Sequence, residues 1–301
     1  MYVITGATGN TGKVVAERLL RRGQKVRAIG RSADRLQPLA KQGAEPFICD
    51  VADAAGMTKA FAGARAVYAM IPPDPVTPDF RAHQDRVSNA IATALEKAGV
   101  KYAVTLSSFG ADKTEKTGPV LGLHFMEQTL NRIAGLNVIH LRAGYFMENT
   151  LAQIAIIKAI GKAAGPLRPE LKIPMIATRD IGAIAAEELL SLAFTGHQTR
   201  ELLGQRDLSM EEATRIIGKA IDKPDLTYAH LPNEQVRPVL IQMGMSHNAA
   251  DMILELADAL NSGHIRALEE CSARNTTPTS FEIFVKEEFL PRKSGRTTAA
   301  Q

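Results

Sequence analysis

The chain of 301 residues contains no tryptophan, and aromatic residues of all kinds make up only 5% of it. Proteins that bind single-stranded nucleic acids stack the bases on aromatic side chains, and this composition disfavours that role. The excess of positive charge is also small, because 36 lysines and arginines face 32 aspartates and glutamates, which leaves a net charge of +4. Without a local basic cluster, we expect no nucleic-acid partner.

Cysteine and long apolar runs are scarce as well. Cys49 and Cys271 lie far apart, without a Cys-x-x-Cys motif or a zinc-type spacing to histidine. The sequence therefore predicts no disulfide framework and no metal site, and it favours the reducing cytoplasm. The most apolar stretch, residues 151–165, is too short to cross a bilayer and is interrupted by Lys158 and Lys162. The N terminus shows no targeting pattern either, so we expect no membrane partner.

Short apolar runs alternate with helical patterns through the first half of the chain. The runs predict six strands, at residues 2–5, 25–29, 45–49, 66–71, 102–106 and 138–141. Between them, apolar residues recur at helical spacing and glycines follow the helices. Strands that are apolar almost throughout belong to a parallel sheet covered on both faces. With right-handed crossovers, the pattern predicts the α/β class with a doubly wound parallel (Rossmann) sheet.

The regular alternation ends near residue 147, and the remainder is typical of a smaller, mainly helical region. We expect a dinucleotide-binding domain over residues 1–147 and a substrate-side region over 148–290, parts of which return to the main sheet. Ser209 and Glu212 have the spacing of a capping box at the start of a helix. The polar residues 291–301 predict a disordered tail.

A glycine-rich loop, GATGNTG at residues 6–12, joins the first predicted strand to the first helix. In such a loop the first glycine makes a tight turn, the second lets the backbone approach a pyrophosphate, and the third lets helix and strand pack closely. The free amides at the start of the helix bind the anion. The predicted cofactor-binding residues of the loop are Gly6, Thr8, Gly9, Asn10, Thr11 and Gly12.

The end of the second strand indicates which dinucleotide is bound. No carboxylate stands there to bind the ribose hydroxyls, and Arg31 follows the strand with Ser32 and Arg35 close behind. An arginine fork suits the 2′-phosphate of NADPH, so NADP(H) is favoured over NAD(H). The alternative is that Arg31 and Arg35 belong to an ordinary solvated surface.

Two further strand ends are candidates for cofactor contacts. Asp50, followed by Val51, stands where a carboxylate can accept a hydrogen bond from the adenine amino group, or can instead cap the next helix. Met70, Ile71 and Pro72 follow the fourth strand and would line the middle of the cofactor, because ligands bind beyond the carboxyl ends of parallel strands. Prolines at this point can equally do no more than end the strand.

Four motifs together resemble the NmrA-like family of atypical short-chain dehydrogenases/reductases. They are ITGATGNTG at the N terminus, SSFGA at residues 107–111, LRAGYFMEN at 141–149 and ATRDIG at 177–182, and the resemblance covers about residues 1–290. It implies a Rossmann fold and an NADP(H) site. The family includes NADPH-dependent quinone reductases and triphenylmethane-dye reductases, and also regulators that sense dinucleotides without catalysis.

The helix after the fifth strand departs from the parent superfamily. Short-chain dehydrogenases carry Tyr-x-x-x-Lys there, with the lysine lowering the pKa of the tyrosine for proton transfer. In this chain His124 stands at the tyrosine position and Gln128 at the lysine position. Histidine has a suitable pKa for donating a proton, so His124 is the catalytic candidate, although the helix can equally turn it towards water.

Quinones and conjugated dyes accept hydride without a strong general acid, because the developing charge is delocalised. We predict that Ser107 contacts the nicotinamide, and that an acceptor pocket is formed by Ser108, Phe109, Tyr145 and Phe146. For Tyr145 and Phe146, packing in the protein core is an equally good explanation. The leading hypothesis is an NAD(P)H-dependent oxidoreductase acting on a quinone-like or conjugated small molecule. The alternative is a non-catalytic NAD(P) sensor, which alone would require a protein partner.

Overall fold

A computed structural model describes residues 1–294 of the chain. Its centre is a seven-stranded sheet with the order β3-β2-β1-β4-β5-β6-β10, in which every neighbouring pair is parallel. The strands of this sheet are β1 (Tyr2–Ile4), β2 (Val26–Gly30), β3 (Glu45–Ile48), β4 (Ala66–Ala69), β5 (Tyr102–Ser108), β6 (Asn137–Ala143) and β10 (His197–Leu202). The predicted Rossmann fold and α/β class are confirmed.

Helices cover both faces of the sheet. In the first half they are α1 (Asn10–Arg21), α2 (Ala33–Lys41), α3 (Ala54–Phe61), α4 (Phe80–Lys97) and α5 (Val120–Leu130). Helix α1 contacts α2, whereas α4 contacts α3 and α5. Alternate strand residues supply the two cores: Tyr2 and Ile4 face the cluster that contains Leu19, and Val3 faces the cluster that contains Phe61. This alternation explains why the strands are apolar almost throughout.

The second half builds a smaller layer beside the sheet. Its helices are α6 (Gln153–Ile160), α7 (Thr178–Ser191), α8 (Met210–Ala220), α9 (Asn233–Gln242) and α10 (His247–Asn261), and a 3-10 helix (Met147–Ala152) precedes α6. Its short strands are β7 (Tyr145–Phe146), β8 (Ala163–Gly165), β9 (Ile173–Ile176), β11 (Asp207–Leu208) and β12 (Tyr228–His230). They form two small sheets, β11-β9-β7 and β12-β8. Two of the elements return to the large sheet, since β10 pairs with β6 and α7 packs on α1.

Helix ends show which local predictions hold. The capping box at the start of α8 is confirmed, with Ser209 and Glu212 each bonded to the other's backbone amide. The predicted cap at Asp50 is wrong, because Asp53 caps α3 and the Asp50 carboxylate accepts from the amide of Ala52 at 2.9 Å. Asp50 lies too far before the helix to reach its first amides.

The last described helix combines Phe281–Phe284, a π-helical turn at Val285–Phe289 and Leu290–Lys293. The predicted disordered tail, 291–301, thus begins inside a helix, and its residues 295–301 lie outside the described residues. Phe281, Phe284 and Phe289 anchor the helix because all three are buried in the core of the second half. Among residues 1–294, no helix combines the length and the apolar character needed to cross a membrane.

Candidate functional site

A cavity of about 730 Å³ lies at the carboxyl ends of the parallel strands. The strand order reverses at β1, with β2 on one side and β4 on the other, which is where ligands of such sheets bind. The predicted cofactor-binding residues that line the cavity are Gly6, Thr8, Gly9, Asn10, Thr11, Arg31, Ser32, Arg35, Asp50, Val51, Met70 and Pro72. Gly12, Ile71 and Ser107 do not line it.

The glycine loop has the geometry that its spacing predicts. Gly6 has φ +58°, a left-handed conformation that side chains disfavour. A Cβ at Gly12 would meet the carbonyl group of Gly6, so only glycine lets α1 approach β1 this closely. The amide of Gly9 donates to the Gly6 carbonyl at 2.9 Å and closes the turn.

The start of α1 is open to an anion. Gly9 is the N-cap residue and offers no side-chain hydrogen bond, and the first turn contains no acidic residue. The first amides of a helix have no partner within the helix, so here they remain free to bind a phosphate. The hydroxyl of Tyr68, which is buried in β4, donates to Thr11 Oγ1 at 2.9 Å and holds this first turn over the sheet.

The residues after β2 form the cationic side of the cavity. Arg31 is exposed and lines it, and Arg35 lies one turn into α2 with its Nη2 donating to the Thr8 carbonyl at 3.3 Å. Ser32 caps α2 by accepting from the amide of Arg35. Arg35 therefore stands beside the glycine loop, and residues 28–32 at the end of β2 contain no carboxylate, the first one being Asp34 in the first turn of α2.

The segment after β3 lines the same end of the cavity. Cys49, Asp50, Val51 and Ala52 all contribute to the wall. Burial raises the pKa of the Cys49 thiol, and the neighbouring carboxylates of Asp53 and Asp50 raise it further. The turn in which Asp50 accepts from Ala52 fixes the carboxylate beside the cavity, and its contact with adenine stays a prediction.

The opposite end of the cavity combines apolar and polar side chains in equal number. It lies beyond β5 and β6 and is lined by Leu106, Phe146, Glu148, Asn149, Leu151 and Thr178. Glu148 Oε1 accepts from the Thr178 hydroxyl at 2.6 Å and from its amide at 3.0 Å, which ties the segment after β6 to the start of α7. Burial raises the pKa of Glu148, although its hydrogen bonds with Thr178 lower it. We did not predict Glu148 from the sequence. The signal that could have indicated it was an acidic residue two positions after the end of β7.

His124 is not among the residues that line the cavity. It lies on α5 with its Nδ1 at 2.8 Å from the Ala111 carbonyl, so Nδ1 carries the hydrogen and donates it. Gln128, one turn later, is exposed. The catalytic role of His124 stays a prediction, which this contact does not support.

A buried ion pair between the same helix, α5, and strand β6 was not predicted from the sequence. Glu127 is 1% exposed, and its carboxylate accepts from Ser107 Oγ at 2.6 Å and from two nitrogens of Arg142. The hydroxyl of Ser107 is therefore engaged behind the strand end and does not reach into the cavity. The available signal was a charged residue on each of two apolar elements, Glu127 on α5 and Arg142 on β6.

Of the predicted acceptor pocket, only Phe146 lines the cavity. Phe109 is buried in the core of the second half, where Ile265 packs over its neighbour Gly110. Tyr145 packs against the same core, and burial raises its pKa to about 12. The Ser108 hydroxyl donates to the Phe109 carbonyl at 3.0 Å. Core packing, the alternative for Tyr145 and Phe146, therefore describes Tyr145, and it also describes Phe109; the acceptor role of these residues stays untested. Within residues 1–294, no cluster of three or more His, Cys, Asp or Glu side chains is placed to hold a metal ion.

Two related proteins and one crystal structure match most of the length of this chain. A (4-alkanoyl-5-oxo-2,5-dihydrofuran-3-yl)methyl phosphate reductase of Streptomyces griseus is 27% identical over 243 residues, 80% of either chain. Quinone oxidoreductase 2 of Escherichia coli is 29% identical over 262 residues, 85% of this chain and 86% of that one. The crystal structure of the NADPH-dependent quinone oxidoreductase from Escherichia coli, complexed with NADPH, superposes with a TM-score of 0.80 at 25% identity and covers 96% of this chain and 100% of its own.

The family model of the NmrA-like proteins matches residues 2–288. This range includes the glycine loop, the segments after β5 and β6, and the start of α7, which carry the four motifs noted in the sequence. The resemblance is therefore confirmed, and the chain belongs to the NmrA-like family.

Proposed function

We propose that the protein is an NADPH-dependent oxidoreductase that reduces a quinone-like or otherwise conjugated small molecule. The observation that carries the proposal is the division of one cavity into two unlike ends. One end has the glycine loop with Arg31 and Arg35 beside it, and the other has apolar and neutral polar side chains around a single carboxylate, that of Glu148. A long dinucleotide fits such a cavity with its phosphates at the first end and its nicotinamide at the second.

The residues of the first end fit NADPH. The amides at the start of α1 would bind the pyrophosphate, and the glycines leave room for its close approach. Arg31 and Arg35 would hold the 2′-phosphate, since a guanidinium fork matches a phosphate and residues 28–32 at the end of β2 contain no carboxylate to repel it. When bound, the cofactor supplies hydride, and these residues provide orientation.

The second end indicates the class of acceptor. The described residues that line it beyond β5 and β6 (Leu106, Phe146, Glu148, Asn149, Leu151 and Thr178) include no lysine, arginine, histidine or tyrosine, and His83 lines the cavity at the end of β4, with its Nε2 3.4 Å from the Pro72 carbonyl. An acceptor that takes hydride there has to delocalise the resulting charge itself, as quinones and conjugated dyes do. Glu148 would repel an anionic acceptor and tolerate a neutral or cationic one.

The relatives support the proposal. Two of them are named reductases or oxidoreductases, and the structurally similar enzyme is described with NADPH and quinones. The Tyr/Lys pair that this chain lacks serves the interconversion of alcohols and ketones, so its absence is consistent with an acceptor that delocalises charge.

The division into a dinucleotide-binding part (1–147) and a substrate-side part (148–290) belongs to the same proposal, since Phe146 and Glu148 lie at that boundary. A cytoplasmic location stays a prediction from the sequence.

The test follows NADPH absorbance on mixing the protein with a neutral naphthoquinone, a cationic triarylmethane dye and a sulfonated naphthoquinone. We expect oxidation with the first two and much slower oxidation with the anionic one. A Gly12→Val variant, whose side chain would meet the Gly6 carbonyl, is the matched negative control. NADPH binding without oxidation above the buffer rate for any acceptor would overturn the enzyme assignment and favour the sensor.

A further inference from the structure

One arginine of the cavity wall has no role in the site described so far. Arg31, Arg35 and Arg86 are the arginines that line the cavity, and no lysine lines it within the described residues. Arg86 lies on α4 and is exposed. The only ion pair on α4 within residues 1–294 joins Arg81 to Asp85 at 2.8 Å, and Arg86 takes no part in it.

The contacts of α4 show which side of the helix Arg86 occupies. The guanidinium of Arg81 lies 5.2 Å from the ring centre of Phe125 on α5, and Gln84 Nε2 donates to the Pro119 carbonyl beside α5 at 2.8 Å. Arg86 follows Gln84 by two residues, which turns it about 200° around the helix axis. It therefore points away from α5, and of the other two helices that contact α4, α3 and α10, α3 makes the more extensive contact.

The segment that precedes α3 lines the adenosine end of the cavity. Asp50, Val51 and Ala52 belong to this segment, and they share the cavity with Arg86. Arg31, just before α2, and Arg35, in its first turn, approach the same end from the side of α2 and α1, whereas Arg86 approaches from the helix layer of α3, α4 and α5. A flat base held beside Asp50 would thus have the phosphate-binding arginines on one side and Arg86 on the other.

We propose that the guanidinium of Arg86 stacks on the adenine ring of the dinucleotide and closes the adenosine end of the cavity. The inference rests on the proposed NADPH site and adds a specificity residue to it. A guanidinium is planar and weakly hydrated, and it packs favourably on aromatic faces. Its position on α4, opposite the two arginines that follow β2, leaves the 2′-phosphate to Arg31 and Arg35. Its contribution is therefore independent of that phosphate.

The test is calorimetric binding of four ligands to the full chain and to Arg86→Ala. The ligands are NADPH, adenosine 2′,5′-bisphosphate, adenosine 5′-monophosphate and reduced nicotinamide mononucleotide. We expect the first three to weaken by the same factor, about fivefold to thirtyfold, as for a desolvated cation–π contact. Binding of the mononucleotide, which has no adenine, stays unchanged. Arg86→Lys keeps the charge without the planar group and is expected to fall between Arg86→Ala and wild type.

The matched control is Lys97→Ala, which removes an exposed cation from the same helix outside the cavity wall and should leave all four affinities unchanged. A loss confined to ligands with a 2′-phosphate would make Arg86 a phosphate contact and overturn the stacking. An effect on the acceptor KM alone, or no effect on any adenosine ligand, would also overturn it. Failure of the wild-type chain to bind NADPH at all would instead remove the proposed function on which the inference rests.

Discussion

Arg142 donates two hydrogen bonds to the carboxylate of Glu127, from Nε to Oε1 at 3.0 Å and from Nη2 to Oε2 at 2.6 Å. The pair joins β6 to α5, and the Ser107 hydroxyl adds a third bond at the end of β5. Because the side chains of Glu127 and Arg142 are 1% and 12% exposed, both charges have left most of their water. Neither can lose its partner without leaving a buried charge uncompensated.

Removing one member of this pair is expected to destabilise the fold strongly. We expect Glu127→Ala or Arg142→Ala to cost about 3 to 5 kcal/mol in the free energy of unfolding, measured by urea denaturation. The double variant Glu127→Leu/Arg142→Met should lose less than either single variant, since it leaves no buried charge. As a control, Glu282→Ala breaks the exposed pair with Arg206 and should cost at most about 1 kcal/mol. Equal effects at the two sites would contradict the prediction.

Stability below neutral pH is expected to depend on His140. This side chain is fully buried between Thr105 Oγ1, 2.7 Å from Nδ1, and Asn131 Oδ1, 3.0 Å from Nε2. Burial lowers its pKa from 6.5 to about 4. Between these values the unfolded chain binds a proton that the folded chain does not, so stability falls as the pH falls.

The loss from His140 alone should reach about 3 kcal/mol between pH 6.5 and pH 4, since each unit of pKa difference is worth about 1.4 kcal/mol. The measurement compares urea unfolding of wild type and His140→Gln across this range. The variant does not titrate, so its stability should fall less steeply than that of wild type. Parallel pH profiles for the two proteins would show that His140 is not the group responsible.

The cofactor preference is expected to depend on Arg31. Arg31→Ala removes one guanidinium from the proposed 2′-phosphate site and should lower the ratio of NADPH to NADH affinity about tenfold to hundredfold, mostly through weaker NADPH binding. Fluorescence titration with both cofactors measures the ratio. Arg21→Ala, at an exposed position of α1 that does not line the cavity, is the control. An unchanged ratio would mean that Arg31 belongs to the solvated surface.

Turnover is expected to survive the loss of His124. Its Nδ1 is bonded to the Ala111 carbonyl and its ring does not line the cavity, so His124→Phe should keep kcat within about threefold of wild type. Steady-state rates with a naphthoquinone, recorded between pH 5 and 9, provide the comparison. A fall of a hundredfold or more, as general acid catalysis would require, together with a changed pH profile, would establish the proton-donating role that the sequence suggests.

The strands of the sheet could be predicted where buried apolar residues follow one another along the chain. Five of the seven strands are apolar enough to recognise, because side chains on both faces enter a core. The edge strand β3 was also predicted, although three of its four residues are exposed. The seventh, β10, begins with His197, Gln198 and Thr199, all exposed at the sheet edge, so the sequence predicts a strand only at its end, over residues 201–203. Helix α9 was missed for the same reason, since Val236 is its one buried residue.

The candidate site likewise has one end that the sequence predicts and one end that it does not. The phosphate end follows from local backbone rules, because the glycine spacing and the residues after β2 act within a few positions of one another. The acceptor end does not follow from them. Phe109 and Tyr145 enter the core of the second half, and Glu148 reaches the cavity through its contact with Thr178, thirty positions along the chain. No local pattern reports such pairings.

By itself, the sequence determined the Rossmann fold, the position of the phosphate loop and the absence of a carboxylate from residues 28–32 at the end of β2. Each of these depends on short-range stereochemistry, such as the left-handed turn at Gly6 or the alternation of apolar strands. Only the tertiary structure decided that Glu127 pairs with Arg142, that His124 is bonded to Ala111, and that Arg86 shares a cavity with Asp50. The physical reason is that burial and partners of a polar side chain depend on how whole elements pack, and packing joins residues that are distant in the sequence.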